Sequence, residues 1–237
     1  MDDMFQDLGG STVLEINARW EKIEIANVFD ALEKLGYPNQ CLDLRIKALK
    51  PGEVLTGPAV TLRGPRAPFN DEEVKQNVDN HHKKLNSYIY PGCILVIDGG
   101  GEEYSAKLGE FESRGLRAYG ARGAVVDGPV RDANQLMSID GLTMFSKGVT
   151  PIPSDKRWYY NEFNQVIGIT GTLTSQVRVD PGDWIVGGRD GVIVIPRKIM
   201  MEALLIAESI EKDEIDMRTA ILNGMPIEEA RKIWNRH

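Results

Sequence analysis

Three charged side chains in this sequence are placed to form a reactive site: Glu110, Arg131 and Asp132. Arg131 and Asp132 follow the apolar run Gly123 to Val126 and an Asp127-Gly128 turn, and Glu110 lies on the stretch that leads into that run. Two carboxylates suit a hard divalent cation such as Mg²⁺ or Mn²⁺, held largely through waters, whereas an arginine fork suits a substrate carboxylate. The set therefore indicates a metal-assisted site for an acidic substrate.

Each of these residues also has a purely structural alternative. Arg131 and Asp132 could form an ordinary ion pair, and Glu110 could be a solvated charge on a helix. What favours a site over these alternatives is that all three are predicted to converge on one end of a sheet.

Other ligand and nucleophile types are scarce. The histidines His81, His82 and His237 and the cysteines Cys41 and Cys93 do not readily assemble a tetrahedral zinc site. No lysine stands out as a desolvated former of a Schiff base, so a metal route is preferred to an imine route.

The elements that must position the site follow from two similar apolar runs, Cys93 to Ile97 and Gly123 to Val126, each closing on Asp-Gly. Leu108, Phe111 and Leu116 between them predict a helix, and the spacing suits a βαβ unit of about 30 residues. Continuously apolar strands are buried on both faces, and ligands bind at the carboxyl ends of such parallel strands. An α/β fold with helices covering a sheet is therefore predicted.

The remaining elements are predicted from periodicity and turn signals. We expect helices at Ile25–Leu35 (ended by Gly36), from Asn70 to about Tyr90, at Arg197–Leu222 and at Ile227–Trp234, and strands at Gly57–Arg63, Thr143–Ser146, Val166–Thr170, Gln176–Val179, Trp184–Val186 and Val192–Ile195. No linker interrupts the chain, so residues 1–237 are expected to form one domain with a C-terminal helical segment, 197–237.

Composition narrows the class of protein. The 237 residues carry 28 Lys+Arg against 35 Asp+Glu, a formal charge of -7, which disfavours nucleic acid as a partner. No apolar run approaches the roughly 20 residues that span a bilayer, and the acidic start lacks the pattern of a signal peptide. A cytoplasmic protein without a membrane partner is expected.

The sequence resembles the RraA-like family from about Ile25 to Pro196. Four motifs carry the resemblance: Val28-Phe29-Asp30-Ala31-Leu32 with Gly36; Ala106-x-x-Gly109-Glu110; Gly123-Ala-Val-Val-Asp-Gly-Pro-Val-Arg-Asp132; and Val179-Asp-Pro-Gly-Asp183 with Gly191-Val-Ile-Val-Ile-Pro196. The class II aldolases of this family, which act on 4-hydroxy-4-methyl-2-oxoglutarate, carry an acidic residue, twenty intervening positions and then Arg-Asp. Glu110 and Arg131-Asp132 reproduce that spacing.

The resemblance implies an αββα sandwich of the swivelling-domain type, assembled as a homotrimer or homohexamer with sites between subunits. It implies a lyase that cleaves a 4-hydroxy-2-oxo acid to pyruvate or decarboxylates oxaloacetate. Glu110, Arg131 and Asp132 would be catalytic, with Glu110 and Asp132 holding Mg²⁺ or Mn²⁺. Arg131 would bind the pyruvoyl end of the small 2-oxo acid, and the backbone of Gly109, Glu110, Phe111 and Glu112 its carboxylate.

Two further functions compete with the lyase. RraA proteins of the same family bind ribonuclease E and restrain it, a role that needs no catalytic metal. A methyltransferase is disfavoured because no Gly-rich nucleotide-binding turn follows an early strand. The aromatic loop 157–163 is expected at a subunit interface in preference to a substrate pocket or an ordinary half-buried loop.

Overall fold

The computed structural model describes residues 8–64, 72, 84–155 and 157–234. Its strands are β1 Lys47–Ala48, β2 Leu55–Arg63, β3 Ile94–Asp98, β4 Gly123–Val130, β5 Thr143–Val149, β6 Glu162–Phe163, β7 Ile167–Thr170, β8 Gln176–Val179, β9 Trp184–Gly187 and β10 Val192–Ile195. Its helices are α1 Val13–Trp20, α2 Ile25–Lys34, α3 Glu110–Ala118, α4 Ala133–Leu136, α5 Met200–Leu222, preceded by a 3₁₀ turn at Arg197–Ile199, and α6 Ile227–Ile233. None of these helices is both long and apolar enough to cross a membrane.

One curled, mixed sheet forms the centre of the fold. Its order is β1-β5-β4-β3-β2-β9-β10, and β6 pairs with β2 beyond this path. Strands β2, β3, β4 and β5 are parallel to one another, whereas β9 runs antiparallel to β2 and to β10. The predicted βαβ unit is confirmed as β3, α3 and β4.

The buried apolar residues form three clusters, and successive residues of a strand face different clusters. In β3, Ile94 and Val96 face a cluster that lies between the strands, whereas Leu95 and Ile97 face another cluster that includes Leu116 of α3. In β9 and β10 the alternate residues face a third cluster, formed with α1, α2 and α5. Strands β7 and β8 form a separate antiparallel pair that also contributes to the central cluster. The central cluster is therefore enclosed by β-strands and each outer cluster includes helical residues, as in the predicted αββα arrangement.

Several local signals gave the correct elements. Gly36 has φ +80, and the N–H of Tyr37 donates to the carbonyl of Leu32 at 2.8 Å, so glycine ends α2 as predicted. Strands β8 and β10 match their predicted bounds, and α6 ends one residue earlier than expected. Cys93 is buried, and burial raises its pKa to about 11, as fits a small buried hydrophobe.

Other elements were not predicted. Helix α1 begins at a capping box, in which Thr12 and Glu15 bond reciprocally, and the pair is readable in the sequence. Strands β1 and β6 are two residues long and have no periodicity to detect. The helix predicted from Asn70 lies almost entirely outside the described residues, as do His81 and His82.

Two apolar surfaces are buried within the chain: the aromatic loop, which was expected between subunits, and the apolar face of α5. In the aromatic loop Trp158, Tyr160 and Phe163 are at most 6% exposed and belong to the cluster beneath α3. Met200, Ala203 and Leu204 of α5 are buried against α1, α2, β9 and β10. Phe111, in contrast, was one of the apolar residues used to predict helix α3, yet it is 88% exposed.

Candidate active site

The candidate site forms where residues 107–110 run beside the end of β4. The N–H of Lys107 donates to the carbonyl of Pro129 at 2.9 Å, and the N–H of Arg131 donates to the carbonyl of Leu108 at 3.0 Å. These two hydrogen bonds extend the pairing past the end of β4. They bring the start of α3 next to Arg131 and Asp132, so the three residues singled out in the sequence do converge.

Asp132 is held in an unusual backbone conformation. Its φ of 60 and ψ of 40 lie in the left-handed region, which aspartate adopts more readily than most residues. Its Oδ2 accepts from the backbone N–H of Glu110 at 3.3 Å and from Nε of Arg131 at 3.2 Å. The Asp132 side chain remains 36% exposed, so a ligand can still reach its carboxylate.

Gly109 permits this close approach. It is the N-cap of α3, and a Cβ at this position would lie 3.0 Å from Oδ2 of Asp132 and 3.1 Å from Cγ of Arg131. Both contacts are tighter than most real Cβ contacts, so a side chain here would displace the Arg131–Asp132 pair. Steric crowding therefore explains why glycine occupies this position of the Ala-x-x-Gly-Glu motif.

The start of α3 favours negative charge. The first N–H groups of a helix have no partner within the helix, and the helix dipole makes this end positive. The Asp132 carboxylate accepts from one of these groups, that of Glu110. The same end can receive a second anion such as a substrate carboxylate.

The Glu110 carboxylate points along α3 and forms an ion pair with Arg114, one turn later. It is therefore the backbone of Glu110, and not its carboxylate, that contacts Asp132. Across the described residues no group of three or more His, Cys, Asp or Glu side chains is placed to hold a metal ion. Mg²⁺ commonly retains several waters and one or two protein carboxylates, so the exposed Asp132 carboxylate, joined by Glu110 once that side chain had left Arg114, would be enough to hold it.

Asp98 ends β3 as predicted, but the predicted turn at Asp127-Gly128 is wrong, because these residues lie inside β4, where the register with β5 shifts between Val126 and Pro129. Both aspartates have structural partners. Asp98 and Asp127 are neighbours in adjacent strands. Asp127 is 2.6 Å from Nζ of Lys147 and accepts from both N–H and Oγ1 of Thr170 at 2.9 Å. Asp98 accepts from the N–H of Gly100, and burial raises its pKa. Asp98 is the last residue of β3, whereas Asp127 lies within β4 and ties it to Lys147 of β5 and Thr170 of β7.

Sequence reasoning missed Lys107, whose side chain is 0% exposed and forms an ion pair with Glu102. Burial alone would raise the pKa of Glu102, but hydrogen bonds from Lys107, Ser105 and two backbone N–H groups lower it to about 2. The only sign of this residue's role in the sequence was that a lysine stands between the apolar Ala106 and Leu108, in a segment that leads into a helix. Burial came from packing and could not be read from these neighbours.

The chain matches the family model described as RraA-like, Aldolase/RraA, over residues 25–194. This match covers most of the sequence, and the chain belongs to the RraA-like family. The αββα arrangement and the motifs quoted above are those of this family.

Named relatives cover most of the chain at modest identity. A Halalkalibacterium halodurans protein provisionally named 4-hydroxy-4-methyl-2-oxoglutarate aldolase is 28% identical over 212 residues, which are 90% of this chain and 91% of that protein. An uncharacterised Methanocaldococcus jannaschii protein is 27% identical, over 88% of this chain and 95% of that protein. Protein DlpA of Legionella pneumophila is 27% identical over 87% of this chain, but the match spans only 32% of DlpA.

Solved structures agree with the fold. RraAS2 of Streptomyces coelicolor, described as an unusual member of the RNase ES inhibitor RraA family, superposes with a TM-score of 0.71 at 25% identity, covering 86% of this chain and 96% of that one. An uncharacterised Pseudomonas syringae protein gives a TM-score of 0.75 at 23% identity, covering 92% and 97%. The second likeness establishes the fold alone.

Proposed function

We propose that this protein is a divalent-metal-dependent lyase that cleaves a 4-hydroxy-2-oxo acid to pyruvate, with decarboxylation of oxaloacetate as a related activity. The observation that carries the proposal is the contact of the Asp132 carboxylate with Arg131 and with the first N–H of α3. A carboxylate, a guanidinium and a helix N-terminus then meet at a position open to solvent. Relatives named as aldolases add support.

Asp132 and Glu110 are the residues that would hold Mg²⁺ or Mn²⁺ in this proposal, Glu110 after leaving Arg114. Such an ion supplies Lewis-acid stabilisation of the negative charge that develops on the substrate oxygen. Asp132 contributes a hard oxygen ligand, and its hydrogen bonds from Glu110 and Arg131 fix the direction in which the carboxylate points.

Arg131 and the first turn of α3 have a different task, which is to orient the substrate. The Arg131 side chain is 42% exposed, and its planar fork can bind the carboxylate of a 2-oxo acid through two hydrogen bonds. The N–H groups around Gly109, Glu110, Phe111 and Glu112 offer further donors to that carboxylate. A substrate held by Arg131 and by the first turn of α3 would present its 2-oxo group to Asp132. The negative charge that develops on this group would then lie beside the Arg131 guanidinium.

The direct test is release of pyruvate from a panel of 4-hydroxy-2-oxo acids and from oxaloacetate. Protein stripped with a chelator is expected to be inactive and to recover when Mg²⁺ or Mn²⁺ is added. Full activity of the metal-free protein would overturn the proposed metal dependence. No pyruvate from any substrate, with metal present, would overturn the lyase assignment.

A regulator of ribonuclease E is the second candidate, supported by the structural likeness to RraAS2. It predicts inhibition of ribonuclease E by the metal-free protein, with no loss on Asp132→Asn. Measuring ribonuclease E activity beside the pyruvate assay separates the two functions.

A further inference from the structure

A buried ion pair lies directly behind the candidate site. Nζ of Lys107 forms an ion pair with Glu102, donates to the carbonyl of Ser105 at 2.7 Å and lies 5.2 Å from the ring centroid of Trp158. Lys107 is 2% exposed and Glu102 is 5% exposed. A buried charge is costly unless it is paired and hydrogen-bonded, so this lysine is retained against a substantial desolvation cost.

Glu102 organises the loop that precedes the site. Its Oε1 accepts from the N–H of Tyr104 at 2.6 Å and of Ser105 at 2.9 Å, and its Oε2 accepts from Oγ of Ser105 at 2.6 Å. Because Lys107 binds the same carboxylate, one ion pair fixes the path of the chain from residue 102 to residue 107.

The backbone of Lys107 connects this loop to the site. Its N–H donates to Pro129, and its carbonyl oxygen lies 2.7 Å from the hydroxyl of Tyr160, which is also 3.2 Å from Oε2 of Glu112 on α3. Directly after Lys107, the carbonyl of Leu108 accepts from the N–H of Arg131 at 3.0 Å, and the N–H of Glu110 lies 3.3 Å from Oδ2 of Asp132. A shift of Lys107 would therefore move the start of α3 away from Asp132.

We propose that Lys107 is a positioning residue: its ion pair with Glu102, enclosed by Trp158 and Tyr160, holds Gly109 and Glu110 at the distance that lets Asp132 and Arg131 bind metal and substrate. The inference rests on the proposed lyase function. Lys107 does not contact substrate in this arrangement, because its ammonium group is enclosed and bound to Glu102. Its effect is expected on binding at the site and not on proton transfer.

The test compares the full-length protein with Lys107→Met. Three quantities are measured: the dissociation constant of Mn²⁺ by electron paramagnetic resonance, KM and kcat for pyruvate release, and hydrogen exchange of the amides at residues 109–112. We expect Mn²⁺ affinity to fall about 10-fold, a loss typical of residues that orient metal ligands. KM should rise more than kcat falls, and exchange at residues 109–112 should accelerate.

Three further variants separate positioning from general stability. Arg19→Met removes an ion pair with Glu208 in the α1–α5 contact and is expected to leave Mn²⁺ affinity and KM unchanged. The double variant Glu102→Gln/Lys107→Met removes both buried charges, so it should recover thermal stability without recovering Mn²⁺ affinity. If Lys107→Met does not fold, Tyr160→Phe removes the hydroxyl contacts with the carbonyl of Lys107 and with Glu112, and it should weaken Mn²⁺ binding in the same direction.

Wild-type Mn²⁺ affinity, KM and exchange rates in folded Lys107→Met would overturn the inference. The inference would also be overturned if the double variant recovered both stability and Mn²⁺ affinity. The Lys107–Glu102 pair would then contribute to stability alone. If the wild-type protein binds Mn²⁺ but releases no pyruvate, the lyase proposal fails while the Mn²⁺ and exchange measurements still decide the role of Lys107.

Discussion

The backbone N–H of Glu110 lies 3.3 Å from Oδ2 of Asp132, although the two residues are 22 positions apart in the chain. The contact joins the start of α3 to the residue that follows the end of β4, so it couples the two elements that carry the candidate site. It also places a carboxylate at the positive end of a helix, where a negatively charged side chain interacts favourably with the helix dipole. The predictions below follow from this contact and its surroundings.

The substitution Asp132→Asn should show the effect of the carboxylate's charge separately from that of the left-handed backbone at this position. Asparagine also adopts the left-handed region, so the backbone is preserved and stability should change by less than about 1 kcal/mol. Mn²⁺ affinity should fall at least roughly 10-fold because a charged oxygen ligand is lost. Calorimetric titration and thermal unfolding measure the two effects, with Asp180→Asn in the exposed Arg178–Asp180 pair as the control. A large loss of stability with unchanged Mn²⁺ binding would return Asp132 to a structural ion pair.

Gly109→Ala should impair activity more than stability. The added Cβ would lie 3.0 Å from Oδ2 of Asp132, so the carboxylate or the helix must shift by a few tenths of an ångström. Gly115→Ala in the same helix meets nothing within 4 Å and should stabilise the protein by about 0.5–1 kcal/mol with activity retained. Pyruvate release by the two variants tests this contrast, and equal activities would contradict the packing argument.

Arg131→Lys should be a severe lesion although it keeps the charge. Lysine loses the planar fork that binds a carboxylate through two hydrogen bonds. Since hydrogen bonds to charged groups contribute about 1.5–3 kcal/mol, kcat/KM should fall roughly 10- to 100-fold. Arg117→Lys on the outer part of α3 is the control. Steady-state kinetics like those of the wild type would rule out a substrate contact for Arg131.

Glu102 should contribute stability that depends on pH. Its pKa is lowered from an ordinary 4.5 to about 2 in the folded protein, so its contribution is fully present above pH 4.5 and is lost as pH falls toward 2. The difference in unfolding free energy between the wild type and Glu102→Gln should therefore shrink between pH 5 and pH 3 in urea titrations. Glu103→Gln, which removes a 49% exposed neighbouring carboxylate, is the control for the loss of one negative charge in this loop. A pH-independent difference for Glu102→Gln would contradict the buried pair.

A homo-oligomer, a trimer or hexamer, is expected in solution. Phe111 beside the site is 88% exposed, and Leu222, Ile227 and Ile233 near the C-terminal end are each more than half exposed. A neighbouring subunit would cover such groups and shield the site from bulk water. Sedimentation at low micromolar concentration measures the assembly, and a fully active monomer would refute both the assembly and a site shared between subunits.

The sequence by itself determined the elements whose signals are local. Apolar runs closing on Asp-Gly identified β3 and β4, and Gly36 marked the end of α2. The placement of Glu110 on the crossover helix, and of Arg131 and Asp132 after the next strand, identified the candidate site, because a strand followed by a helix and a parallel strand brings such residues to one edge of a sheet. The spacing of the three residues added only a resemblance to the family. These predictions needed only periodicity, turn chemistry and the direction of parallel strands.

Only the tertiary structure decided which charges are buried and which aromatic residues face inward. Lys107 and Glu102 lie five positions apart, but Trp158 and Tyr160, which enclose Lys107, come from a distant loop. The left-handed Asp132 likewise meets its partner across elements, at the start of α3, whereas the Glu110–Arg114 pair is a local contact one turn along α3. Local sequence patterns report which face of an element is apolar, whereas the partner of a buried charge is chosen by the packing of elements far apart in the chain.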